Sequence, residues 1–151
     1  MFRFRLIALN LLYFLNVLLV FLLLVEDKVQ LPLFLQVTGR MHPLVLHFPL
    51  VLLFVAIFLE FLITQKNFQH SAVLKITSYV FYFFALSAAV TALFGFFLYK
   101  EGSYLGQEVM LHKWLGTVVS LLAVILVWLK ESPVVMFRYT TLGISTICLV
   151  L

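Results

Sequence analysis

The chain alternates between long apolar stretches and short polar clusters. No formal charge occurs in the twenty residues between Arg5 and Glu26, the nineteen between Arg40 and Glu60, the twenty-four between Lys75 and Lys100, or the sixteen between Lys113 and Lys130. A helix needs about 20 mostly apolar residues to cross a bilayer. The pattern therefore predicts spans at about 5–25, 43–64, 76–99 and 107–129. A fifth apolar run follows Ser132-Pro133, an N-cap candidate with proline at the first helical position. From Tyr139 to Leu151 it has thirteen residues. At about 1.5 Å per residue, such a stretch reaches about 20 Å into a core about 30 Å thick. Ending on Cys148-Leu149-Val150-Leu151, it predicts a natural chain that continues further. The start, Met1-Phe2-Arg3-Phe4-Arg5, has the look of a secretory signal. Its apolar region is too long and no small-x-small site precedes Glu26-Asp27, so it reads as an uncleaved anchor helix.

Composition agrees with lipid as the solvent. Hydrophobic residues make up 65% of the 151 positions and charged residues 11%, with a mean hydropathy of +1.19. Soluble domains are about 45–50% apolar and about 25% charged. The net charge of +4 comes from scattered residues rather than a basic stripe, and Cys148 is the sole cysteine. Nucleic-acid binding, disorder and a disulfide scaffold are thereby excluded. With the N-terminus inside, the cytoplasmic loops hold Arg3, Arg5, Lys66, Lys75, Lys130 and Arg138, against Lys28, Arg40, Lys100 and Lys113 outside, the direction that the positive-inside rule favours. No repeat, phosphate loop or nucleophile motif occurs.

Chemistry must then come from the few polar residues in or near the spans, and three of the four histidines fall at one end. His42 and His47 open the second span and His112 lies near the start of the fourth, both of which run inward; His70 is in an inner loop. At the helical rise, His47 sits about 7 Å and His112 about 8 Å along their helices. His112 shares a face with Gly116, Ser120 and Ala123, small residues of the kind that mark close helix contacts in membranes. His47 shares its face with Val51, Phe54, Val55 and Phe58, and the third span carries a small stripe of Ala85, Ala88, Ala92 and Gly95.

Two imidazoles at matched depth between apolar walls are what bis-histidine haem ligation in a bundle requires. The expected ligand pair is His47 with His112, around haem b. His42, about 140° from His47 on a regular helix, reads as a helix-start residue or a contact to a partner, a propionate or a second centre. The plain alternative is that each histidine hydrogen-bonds only to backbone, water or headgroups. A zinc or copper site is disfavoured because no carboxylate or cysteine accompanies the histidines at ligand spacing.

Other polar residues have structural readings. Pro49 should kink the second helix, either re-aiming His47 or simply tolerated. Glu60 lies near the inner end of its span and reads as reaching headgroup level near Lys66, or as a proton or quinone site. Asn10 and Asn16 read as interhelical hydrogen-bonding residues. Trp114, Tyr99 and Tyr104 fit an outer aromatic belt, and Trp128, Phe137 and Tyr139 an inner one.

The segment Gly39-Arg40-Met41-His42-Pro43, continuing to Leu46-His47-Phe48-Pro49, together with His112-Lys113-Trp114-x-Gly116, resembles an uncharacterised bacterial four-helix membrane domain. That domain occurs alone or before planctomycete-type cytochrome c domains. The resemblance covers residues 38 to 151, leaving 1–37 as an anchor helix with an outer surface segment. It implies an electron-transfer module of the bacterial inner membrane, multi-pass with a cytoplasmic N-terminus, whose partner is a periplasmic c-type cytochrome. In that family the last helix is expected to carry a further histidine past Leu151, which leaves open whether His112 or His47 pairs with it. No Cys-x-x-Cys-His occurs, so the chain cannot itself attach haem c. The expected fold is all-α with five transmembrane helices: an antiparallel four-helix bundle plus the anchor. The alternative function is a cofactor-free membrane anchor or assembly subunit of a larger membrane complex.

Overall fold

A computed structural model describes residues 2–65, 71–102 and 106–130, together with 139, 142–144, 146 and 147. Every element in it is helical: α1 (Phe2–Leu24), a single 3-10 turn at Glu26–Lys28, α2 (Leu33–Gly39), α3 (His42–Val45), α4 (His47–Thr64), α5 (Ser71–Lys100) and α6 (Gln107–Leu129). Among the described residues, four helical stretches are long and apolar enough to cross a membrane: Arg3–Leu24, His42–Thr64, Ala72–Lys100 and Gln107–Leu129. They coincide with the four charge-free runs. Of the expected fifth span only 139, 142–144, 146 and 147 are described, all of them helical; His70, Tyr104 and Cys148 lie outside the described residues.

α5 is the central helix. It packs against α1, α2, α3, α4 and α6, and it can do so because its small residues Ala85, Ala88 and Ala89 are buried beside Phe81 and Phe84. Small side chains let neighbouring backbones approach, which replaces the hydrophobic drive that lipid does not supply. The main core joins Ala8 and Leu12 of α1, Leu53 and Ala56 of α4 and Val119, Ala123 and Leu126 of α6 around this face. Bulky residues such as Phe14, Phe54, Phe58, Phe61 and Trp128 are exposed, as a lipid-facing surface should be.

Two polar side chains inside the spans, Asn16 and Glu60, are paired across the fold. Ser120 Oγ of α6 donates to Asn16 Oδ1 of α1 at 2.8 Å, and both residues are buried, so Asn16 has the interhelical role expected of it. Glu60 turns into the protein: its side chain is 1% exposed, and Lys130 Nζ reaches its Oε1 at 2.7 Å. The reason lies on one helix face. From His42, steps of four and three give Leu46, Pro49, Leu53, Ala56 and Glu60, and Pro49, Leu53, Ala56 and Glu60 are the buried residues of α4.

α3 and α4 are separated only at Leu46, three residues before Pro49; Leu46 keeps helical dihedrals, so His42–Thr64 runs as one span across the expected kink. Pro49 has no N–H, so the Val45 carbonyl loses its in-helix donor. Thr91 Oγ1 of α5 points to that carbonyl at 3.5 Å.

A buried carboxylate left without its cation is far costlier than the intact pair is stabilising. Lys130→Ala should therefore lower stability by about 3–5 kcal/mol, and adding Glu60→Leu should recover most of the loss. Thermal unfolding in detergent checks both, with equal loss in single and double variants as the contrary result.

Candidate functional site

The site begins with two glycines. A Cβ at Gly39 would stand 2.7 Å from Leu98 N and 2.9 Å from the Phe97 carbonyl carbon, so the end of α2 lies directly on the α5 backbone. Just beyond it, Arg40 Nε donates to Glu101 Oε1 at 3.0 Å and Oε2 at 3.3 Å, and Nη2 also binds Oε1. This ties the entry of α3 to the end of α5. The guanidinium hydrogen bond holds the Glu101 carboxyl below the usual carboxylate range.

These contacts bring His42 down onto Gly95. A Cβ at Gly95 would meet His42 Cε1 at 2.9 Å and Nδ1 at 3.2 Å. His42 Nδ1 lies 3.0 Å from the Thr91 carbonyl oxygen. A carbonyl can only accept, so Nδ1 carries a proton, and in the neutral ring Nε2 keeps its lone pair. Metal-ligating histidines almost always use the second ring nitrogen this way, to a carbonyl or carboxylate.

Opposite His42 stands His112 of α6, with ring centroids 5.9 Å apart and planes at 80°. The two rings lean over a cleft whose walls are α3 and α6 and whose floor is α5. On its outer side is a cavity of about 400 Å³ lined by His42, Ala92, Gly95, Tyr99, Glu108, Lys113 and Gly116, among others. A smaller one of about 40 Å³ lies deeper, between Leu46, Pro49, Ala88 and Val119. His42, His112, Ala92 and Gly116 border both. The larger is of the size usual for small-molecule sites.

The structure thus brings His112 to His42, where His47 was the expected partner. His47 is exposed, lines neither of these two cavities, and donates from Nδ1 to the Pro43 carbonyl at 2.9 Å. Its helical neighbours Val51, Phe54, Val55 and Phe58 are exposed too. Five residues turn a helix by about 140°, so when the His42 face is inward the His47 face must look to lipid. The bulky stripe beside His47 was itself the signal, because bulky apolar faces suit lipid and small faces suit helix contacts.

The donor set limits what could be held. Among the described residues there is no group of three or more His, Cys, Asp or Glu side chains placed to hold a metal ion. Structural zinc needs four protein ligands and catalytic zinc three. A haem iron takes its four equatorial nitrogens from the porphyrin and asks the protein for only two. Haem is thus the group whose demand on the protein two histidines would meet, with the small residues Ala92 and Gly116 on the cavity wall beside them.

The comparisons agree with the membrane reading. The profile of the family described as Predicted membrane protein (DUF2231) matches residues 40–151, and the chain belongs to that family. No curated protein and no solved structure matches it. The family region begins at Arg40 and includes His42, His47 and His112; α1 and the Glu26 turn precede it.

Gly95→Ala should displace the His42 ring and cost about 1–3 kcal/mol by overpacking. Gly116→Ala, with open space around the added Cβ, should instead stabilise by about 0.5–1 kcal/mol through helix propensity. Unfolding midpoints in detergent distinguish the two. The Arg40–Glu101 contribution should be present above the unfolded glutamate pKa of about 4.3 and disappear as pH falls through the lower folded value. An acid titration of wild type against Glu101→Gln should show that difference only above the transition.

Proposed function

We propose that this member of the DUF2231 family holds one haem b between His42 and His112 and carries electrons between the membrane and a periplasmic c-type cytochrome. The observation that supports this best is the geometry of the two rings, which face each other from opposite walls of an apolar cleft. When bound, such a group supplies one-electron chemistry by cycling its iron between the ferric and ferrous states. The rest falls to the protein. Thr91 fixes the tautomer and orientation of His42 and raises the basicity of Nε2. Gly95 seats the His42 ring itself, Ala92 and Gly116 keep the cavity wall beside it low, and Phe96, Leu98 and Val109 make the surroundings apolar. Apolar, water-poor surroundings are one of the levers that set a haem potential.

In this reading the helices alternate in direction as an antiparallel bundle with a fifth span beyond residue 130. The histidine end faces the periplasm and the N-terminus lies in the cytoplasm of a bacterial inner membrane. The outer loops, with Arg40–Glu101 and Glu26 nearby, are then the surface that meets the cytochrome. The protein is a carrier rather than an enzyme with its own substrate.

The reading predicts a Soret band and sharp reduced b-type bands when the full-length protein is purified from membranes and treated with dithionite. His42→Ala and His112→Ala should each abolish them, and His47→Ala should keep them. A folded, colourless full-length protein that takes up no added haem contradicts the reading and favours a cofactor-free anchor or assembly subunit.

A further inference from the structure

α6 has two polar contacts on one side and the site histidine on the next. Lys113 Nζ donates to both carboxylate oxygens of Glu26 at 2.9 Å, its side chain only 8% exposed and its ammonium 4.0 Å above the Tyr99 ring. Lys100 Nζ of α5 holds the same Glu26 through its backbone carbonyl at 2.9 Å. Two turns along α6, Ser120 donates to Asn16 of α1 at 2.8 Å. Thr117 lies between and is buried.

At about 100° per residue, Lys113, Thr117 and Ser120 fall within about 60° of one another. His112, Gly116 and Val119 form the adjacent stripe, turned by about 100°, and all three border the deeper cavity. Fixing one stripe therefore fixes where the other points. Packing of Val119, Ala123 and Leu126 turns the small face of α6 toward the core, but apolar contact is non-directional and leaves the angle adjustable. Buried polar contacts are the directional exception.

We propose that the N-terminal unit, which lies outside the family region of residues 40–151, sets the rotation of α6: Glu26 and Asn16 are positioning residues that aim His112 at His42. The first helix is then part of the site's construction and more than an anchor. The inference rests on the proposed His42–His112 pair but not on haem being its ligand.

Nickel ion tests it, because imidazoles bind this metal and two of them chelate it only when held at the right separation. The full-length protein in lipid nanodiscs, free of haem, is titrated with Ni²⁺ by calorimetry. Tight binding should be lost in His42→Ala and in His112→Ala. Glu26→Gln should weaken it about tenfold, with Glu26→Asp, which keeps the charge, restoring most of the affinity. Asn16→Ala and Ser120→Ala should each weaken it, and the two should not add, since they break one bond. If Asn16→Ala does not fold, Ser120→Ala with Glu26→Gln carries the test. Wild-type nickel affinity in Glu26→Gln overturns the proposal, as does nickel binding that ignores His42 and His112. A protein that chelates nickel through the pair yet takes up no haem would sink the proposed function and leave this inference standing.

Discussion

The hydrogen bond from His42 Nδ1 to the Thr91 carbonyl exists only because Gly95 lets the ring lie on α5. A single methyl there would stand 2.9 Å from His42 Cε1. An imidazole at this depth is costly unless it is partnered inside the protein, so the close approach decides which way the whole second span faces. Once His42 is inward, Leu46, Pro49, Leu53, Ala56 and Glu60 follow on the same face, and His47 with its bulky neighbours turns to lipid. One approach at one glycine thus orients a span of 23 residues, His42–Thr64.

Thr91 has a double role in this arrangement. Its carbonyl takes the His42 proton, and its hydroxyl points at the Val45 carbonyl that Pro49 has deprived of a donor. A proline in the second span and a threonine on the neighbouring helix are thereby coupled. The motif residues Gly39, Arg40, His42 and Pro49 then have separate physical duties: close approach to α5, an ion pair with Glu101, the site ring, and release of a carbonyl. Among them, only His42 faces the cleft with its chemistry.

Much of the fold was legible from the sequence because charge is expensive in hydrocarbon. The four charge-free runs became the four long helices, and Asn16 found an interhelical partner as an isolated amide in lipid should. The candidate site was legible to the level of which end and which helices, including His112 and the small stripe Ala88, Ala92 and Gly95. The choice between His42 and His47 was missed. Depth along the helix was weighed, and the two differ by only five residues, whereas rotation was the deciding quantity. Glu60 was missed for a related reason: its cation, Lys130, comes from another helix, and only the buried face running from His42 to Glu60 indicates that it points inward. The roles of Glu26 and Lys113 depend on a contact between residues 87 positions apart, which no local pattern encodes.

The central claim is that the two rings facing each other across the cleft are His42 and His112 and that they act as axial ligands. Electron paramagnetic resonance of the oxidised full-length protein tests it most directly, because two imidazole ligands keep ferric haem low-spin. The account predicts a low-spin ferric signal in wild type and in His47→Ala, replaced by a high-spin signal or by loss of haem in His42→Ala and His112→Ala. A low-spin signal that survives in His42→Ala and disappears in His47→Ala would contradict it.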